Sequence, residues 1–295
     1  MLRKLNFTVL FICIITITGF SQKKINADEI IQKINNKETV NYENITIIGD
    51  IDFRKINDVE IENKGENSTK TFKYHVNSIL KFTNCTFDGN IIGYVSTEKP
   101  NELFIAMFHN DVKFKKCIFK KDVLLKYSEF DKKVIFINST FKNNALFKYS
   151  KFAMITSFSG VQFKHEANFK YSEYSDKADF SNTKYTEEAN FKYAKFKDAV
   201  FFNQTTYLEE ANFKYSKFKD VVNFADSKFN DEANFKYSKF SKGVSFKNSE
   251  FNSFSNFKYT KFSKPLVLDN VKFNGNCDFK YTRIGGKEFK LSELK

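Results

Sequence analysis

Between Leu103 and Ile284 a large apolar side chain recurs at alternating steps of five and six residues, as in Phe191, Phe196, Phe202, Tyr207, Phe213, Phe218, Phe224, Phe229 and Phe235. The run spans 34 positions, and 27 of them are Phe. The residue two places earlier is small or β-branched, as in Ala189, Ala194, Val200, Thr205, Ala211, Ser216 and Val222. Two inward residues flanking one outward residue make a short extended segment with period-two alternation. A corner has to follow each segment. Steps of five and six do not hold one face of a 3.6-residue helix. The Leu-x-x-Leu-x-Leu pattern of leucine-rich repeats, whose period is similar, is absent.

Four such segments complete one turn of a coil. Phe-Lys-Tyr starts at Phe147, Phe169, Phe191, Phe213, Phe235, Phe257 and Phe279, always 22 apart, and Leu125-Lys126-Tyr127 continues the series one step earlier. The pattern therefore predicts an all-β solenoid with a 22-residue turn. Its turns rise by about 4.8 Å, the spacing of paired strands. Its interior is plugged by stacked rings, with Phe169, Phe191, Phe213, Phe235, Phe257 and Phe279 as one core column.

Units such as Ala-Asn-Phe-Lys-Tyr (189–193) and Ser-Lys-Phe-Lys-Asp (216–220) resemble the pentapeptide-repeat family over about residues 80–284. The resemblance implies a right-handed quadrilateral parallel β-helix. The simplest family pattern gives five residues to every wall, so the longer turn here implies that two of the four corners are wider.

The remaining segments read as an address and two caps. Residues 1–21 predict a signal peptide, with Arg3 and Lys4 before an uncharged apolar run from Leu5 to Thr18 and small residues Gly19 and Ser21 before Gln22. That run is shorter than the ~20 residues of a membrane span. Export to the periplasm, the envelope or the exterior is expected, with a membrane anchor as the alternative. Residues 22–79 predict an N-terminal cap. It contains an amphipathic helix over about 26–37, with Asn26 as N-cap and Ile30, Ile31 and Ile34 on one face, an early inward pair at Ile51 and Phe53, and a polar loop at 57–70. Phe82 and Phe87 match Phe114 and Phe119 at an offset of 32, which places a ten-residue insertion at about 89–100. Residues 285–295 predict a thin C-terminal cap built on Phe289, Leu291 and Leu294, where two copies are expected to be able to meet end to end.

Composition qualifies the charge. The chain carries 48 Lys and Arg against 35 Asp and Glu, a net charge of +13. Only Arg3, Arg54 and Arg283 are arginines. Arginine is the residue expected where phosphate is gripped bidentately, so lysine excess alone is a weak nucleic-acid signal.

Catalytic signatures are not readable. Cys85, Cys117 and Cys277 occupy small inward positions and read as packing residues, with Cys85 and Cys117 on adjacent turns. His75, His109 and His165 lack metal-ligand spacing, and no phosphate loop, calcium loop or Ser-His-Asp pattern is found. No enzyme activity, cofactor, metal or small-molecule substrate is expected.

One outward feature is sharp. The period places Lys126, Lys148, Lys170, Lys192, Lys214, Lys236, Lys258 and Lys280 in one file. Tyr127, Tyr149, Tyr171, Tyr193, Tyr215, Tyr237, Tyr259 and Tyr281 form the next. Lys151, Lys195, Lys217, Lys239 and Lys261 make a partial file interrupted by Glu129 and Glu173, and Asn168, Asn190, Asn212, Asn234 and Asn256 flank the other side. Glu166, Glu188, Glu210 and Glu232 lie four residues before their lysines, about 13 Å along an extended segment and beyond a Debye length of about 8–10 Å. Neighbouring ladder lysines repel by roughly 0.8 kcal/mol at ~5 Å in water.

Two readings of this ladder stay open: a by-product of repeat duplication, or a surface for an anionic polymer such as a polysaccharide, lipopolysaccharide or nucleic acid. The expected role is a non-catalytic envelope scaffold contacting a protein or polymer. The family resemblance adds a DNA-mimicking, topoisomerase-binding role, which the net charge and the signal segment oppose. A polysaccharide-cleaving β-helix lacks a visible acid–base pair.

Overall fold

The computed structural model describes residues 23–289 apart from 64, 66, 67, 99 and 100. The expected signal peptide, Leu291 and Leu294 lie outside the described residues. The chain forms a parallel β-solenoid of about 12 turns of about 22 residues, with one short helix near its N-terminal end.

Each turn visits four walls in order, as at Ala178–Asp179, Lys184–Tyr185, Ala189–Asn190 and Lys195–Phe196. Stacked turns make the walls sheets of 10, 11, 10 and 13 strands. Register advances by one full period per turn: Ala189 faces Ala211 and Lys195 faces Lys217. Backbone bonds run between turns, for example Phe191 N–H to Asn212 O at 2.8 Å and Lys195 N–H to Ser172 O at 2.9 Å.

The alternation of five and six is a property of the corners. Corners from wall one to two and from wall three to four are tight turns. At the corner from wall three to four the residue three after the large inward residue donates back to that residue's carbonyl, as from Ala194 N–H to Phe191 O at 2.9 Å; at the corner from wall one to two Val161, Ser249 and Val271 do so, whereas Cys117 and Thr205 N–H donate to the Ser139 and Ser227 hydroxyls. The other two corners carry one residue more, the widening expected from the length of the period. Each tight turn needs a left-handed residue at its third position. At one corner these are Asn44, Asn84, Lys116, Asn138, Gly160, Asn182, Gln204, Asp226, Asn248 and Asn270, mostly types that adopt positive φ at low cost. At the other they are the eight ladder tyrosines, with φ of 59–63°.

The interior is a filled column of rings. Phe147, Phe169, Phe191, Phe213, Phe235, Phe257 and Phe279 stack with centroids 4.9–5.2 Å apart. Rings from other walls meet them edge-on, as Phe202 meets Phe213 at 5.2 Å and 81°. Phe169 to Phe257 are buried, whereas Phe279 in the last turn is partly exposed. Small inward residues divide by corner. After tight turns Ser and Thr prevail, and their hydroxyls cap ring carbonyls of the previous turn: Ser216 bonds Phe191 O at 2.7 Å and Ser227 bonds Phe202 O at 2.7 Å. After wide corners Ala and Val prevail, with no such carbonyl to satisfy. Cys85 and Cys117 are buried free thiols on adjacent turns, and Cys277 is a half-buried one.

The coil begins earlier than residue 80. β1 (Lys23–Asn26) leads into α1 (Ala27–Asn35), and β2 (Val40–Glu43), β3 (Ile45–Ile48) and β4 (Ile51–Asp52) form a turn of the coil. They pair with β7 (Leu80–Thr83), β8 (Thr86–Phe87) and β9 (Ile91–Ile92) of the next turn. Short Ile- and Val-rich segments hide this turn from a search for Phe. α1 is closed by a capping box between Asn26 and Glu29 and buries Ala27, Ile30, Ile31 and Ile34 over the first turn.

The expected loop at 57–70 is a hairpin of β5 (Val59–Glu62) and β6 (Lys70–Val76). The insertion expected at 89–100 starts later, because β9 keeps regular register with Val123–Leu124. It is a second hairpin, β10 (Tyr94–Thr97) with β11 (Glu102–Phe108). β11 also pairs with β6 along its whole length, so the two hairpins extend the fourth wall as a small wing. Leu103 consequently leaves the ring series. Its expected core place belongs to Gly93, where a Cβ would meet Leu125 Cδ2 at 2.7 Å. At the opposite end, Lys287–Glu288 folds back antiparallel on Arg283–Ile284 and Phe289 is buried. Lys264, Pro265, Leu266, Leu268, Ile284 and Phe289 line an open hollow of about 570 Å³ there.

Candidate interaction surface at the Lys–Tyr corner

The corner between walls three and four gathers the expected ladder. Asn190, pointing outward from wall three, accepts the Lys192 N–H at 3.1 Å, and Asn168, Asn212, Asn234 and Asn256 do the same for their lysines at 3.1–3.3 Å. These Asx turns bend the chain into the tight corner. The asparagine file is therefore turn chemistry. Lysine and tyrosine then occupy the two corner positions.

All eight tyrosines stack into one pile, with successive centroids 4.6–4.8 Å apart. Each ladder lysine holds its Nζ 5.1–5.7 Å from the ring of the following tyrosine. The faces of the rings are occupied by neighbouring rings, so the pile offers edges and hydroxyls to the outside. The wing closes its N-terminal end: Tyr94 lies 5.9 Å from Tyr127, and Lys126 Nζ donates to Tyr94 Oη at 3.0 Å. Sequence reasoning missed Tyr94, because it sits in the insertion outside the repeat register.

None of the ladder lysines forms an ion pair with a carboxylate among the described residues. Burial, then the charges of Lys126 and Lys170, push the Lys148 ammonium below its ordinary range. The neighbouring file on wall four behaves differently along its length. Lys151 pairs with Glu129 at 2.7 Å, and Glu173 pairs with Lys195 at 3.7 Å and with Lys197. Beyond it Lys217, Lys239, Lys261 and Arg283 are exposed, with no such pair among the described residues.

The glutamate file is less remote from its neighbours than its spacing along the chain implies. Burial and then Asn212, Glu166, Lys170 and Lys192 set the Glu188 carboxyl, with a net rise, and burial with Glu188 and Glu232 raises Glu210. Stacking on adjacent turns brings these charges within each other's field. The file ends at Glu232, since Phe254 and Asn276 hold the next two places.

Two of the three histidines do meet. His75 Nδ1 and His109 Nε2 are 2.8 Å apart, His109 Nδ1 is 2.7 Å from Asp131, and His75 Nε2 is 3.5 Å from Glu60. His165 pairs instead with Glu187 at 2.8 Å. No group of three or more His, Cys, Asp or Glu able to hold a metal occurs among the described residues.

The family model described as pentapeptide repeats matches residues 125–173 and 213–261, in nine copies. Together with the four-walled coil, that match decides the family. The chain is a pentapeptide-repeat protein. No curated protein matches it, and no solved structure does. Within this pentapeptide-repeat rod the Phe-Lys-Tyr unit has a defined division of labour: the ring fills the core, and the following pair builds the corner and its ladder.

Proposed function

We propose that this pentapeptide-repeat protein is a non-catalytic scaffold of the cell envelope, exported by its N-terminal segment and working through its outer walls. One observation carries the reading: the interior is plugged by rings along its length. Among the described residues the stacked columns leave no internal cleft for a substrate, and an internal void lined by Ile30, Phe53, Phe82 and their neighbours has only about 20 Å³, room for about one water. A stiff rod with flat walls suits extended contacts with a protein or a polymer. Pairing of two copies at the thinly covered C-terminal end belongs to the same proposal.

Fractionation of cells expressing the natural chain tests it. The expected result is protein in the envelope or exterior fraction with a mass that starts at Gln22. Uncleaved chain confined to the cytosol would refute the export part.

The unpaired lysine file favours a second reading, binding of an anionic polymer. The DNA-mimicking role has less support, since the acidic file is four residues long and lies beside a longer basic one.

A further inference from the structure

Along the corner between walls three and four, the last four turns differ from the rest. Lys214, Lys236, Lys258 and Lys280 continue the ladder, while Lys217, Lys239, Lys261 and Arg283 run beside it on wall four. The Tyr215, Tyr237, Tyr259 and Tyr281 edges lie between the two files. The wall-four file carries no acid here, and the glutamate file of the neighbouring corner reaches only the first two of these turns, at Glu210 and Glu232. Asp278 on wall three remains, and it is engaged by the Lys280 N–H at 2.8 Å. Eight cations thus face outward in two parallel rows against Glu210, Glu232 and Asp278, and the five in excess repel unless an anion is supplied.

The geometry of the rows selects among anions. Their repeat along the rod is the ring spacing of 4.7–4.8 Å. Each strand of duplex DNA advances about 3.4 Å per phosphate, and an extended peptide returns a side chain to one face every ~6.7 Å, so neither keeps step. A chain of uronic acids carries one carboxylate on each hexose ring, and one such ring extends about as far as one turn of the rod. Single-stranded nucleic acid is held by aromatic faces on which bases stack, and here those faces are closed by neighbouring tyrosines. The available tyrosine hydroxyls and lysine ammoniums are donors suited to sugar oxygens and carboxylates.

We infer that the two-row corner of the last four turns is a binding site for a linear polyuronate, laid along the rod with about one uronate per turn. Each carboxylate meets a lysine of the ladder or of the wall-four file, and tyrosine hydroxyls donate to the sugar oxygens. This rests on the anionic-polymer reading above and narrows it to one polymer class and one stretch of the surface.

The test is co-sedimentation of the full chain with polygalacturonate at about 0.15 M salt, where the screening length is ~8 Å, beside neutral dextran and poly-dT. Polygalacturonate is expected to retain the protein, and dextran is not. Lys236→Gln, Lys239→Gln, Lys258→Gln and Lys261→Gln together should weaken retention by roughly tenfold or more, since half of the site's cations are lost. The same four positions changed to Arg should retain it. Lys81→Gln, Lys113→Gln, Lys115→Gln and Lys184→Gln, which remove equal charge from walls one and two, should leave it unchanged. An equal loss in that control set overturns the site. Binding of poly-dT as tight as that of polygalacturonate overturns the polyuronate assignment while the anionic-polymer reading stands. Retention by neither anion overturns both.

Discussion

At the scale of single residues, the most informative are three tyrosines in ring positions otherwise held mainly by phenylalanine. Tyr174, Tyr185 and Tyr207 are completely buried, and their hydroxyls have no partner among the described residues. Burial pushes all three phenols well above their ordinary range. Tyr185 and Tyr207 stack on each other at 5.1 Å, and phenylalanines pack as well on their far sides: Phe163 stacks on Tyr185 at 5.1 Å, and Phe229 on Tyr207 at 4.8 Å. Tyr185→Phe and Tyr207→Phe should therefore each stabilise the rod by about 1–2 kcal/mol, the cost of a buried unmet hydroxyl. A denaturation midpoint that falls in either variant would contradict this. The opposite change is as clear: Phe213→Ala, in a fully buried column, should cost roughly 3–5 kcal/mol, read from the same midpoint. The spacing of large side chains made the ring positions legible, because any aromatic satisfies the pattern. Whether a hydroxyl finds a partner depends on atoms two walls away, and no linear pattern records that. The ladder tyrosines carry a related lesson. Left-handed geometry costs a bulky residue about 1–2 kcal/mol, and the opposite corner avoids most of it with Asn, Asp and Gly. Ring stacking of about 0.5–1.5 kcal/mol per pair offsets the cost here, so Tyr is held by its neighbours and not by the turn.

At the scale of elements, corners explain what the repeat period alone leaves open. The period locates the walls, and the choice of Ser or Thr against Ala or Val then tells which corner precedes each wall. Ala194 shows the rule by breaking it. With no hydroxyl from Ala194 to reach Phe169 O, Ser172 turns to that carbonyl in its own turn at 2.6 Å. The two hairpins were only partly legible. Alternation in Val59-Glu60-Ile61-Glu62 marks a strand, but two glutamates and a glycine-containing stretch after it read as a loop. Offset arithmetic found ten extra residues without showing that they pair with β6. The glutamate corner yields a prediction with a sign. Glu188 and Glu210 are half-buried and hold their protons more tightly than the ordinary carboxyl value of 4.5. Their ionised forms therefore weaken the fold at neutral pH. That penalty disappears as pH falls through the raised values, and is gone below the unfolded value. Glu188→Gln with Glu210→Gln should raise stability near pH 7 by roughly 0.5 kcal/mol, after allowance for solvent screening. The difference from the natural chain should vanish below about pH 4. A gain that persists undiminished in acid would show that the carboxyl charge is not its source.

At the scale of the whole molecule, the rod is a sum of nearly interchangeable turns between two unlike ends. Each turn contacts its neighbours above and below, and stability is then a nearest-neighbour sum. Excision of Lys192–Phe213 joins Phe191 to Lys214 and keeps every later residue on its own wall, since it removes one whole period of the register between turns. The shortened chain should fold, keep its sheet content, and lose about 4.8 Å of length, which small-angle scattering can resolve as a reduced maximum dimension. An excision two residues shorter at the same place leaves two extra residues in one turn, which must bulge out at a corner as the longer insertion before Glu102 does, so the chain should still fold but with a lower denaturation midpoint than after the whole-turn excision. Half a turn is the more demanding case. An 11-residue excision preserves the alternation of tight and wide corners, yet it transfers the Phe-Lys-Tyr units after the junction to the corner between walls one and two. The fold should survive while the tyrosine pile and the lysine file split between two edges of the rod. Polygalacturonate retention, if it depends on a continuous two-row corner, should survive the whole-turn excision before Lys214 and drop when a half-turn excision is made within the last four turns. Equal retention by both would mean that the rod's charge, and not its register, holds the polymer.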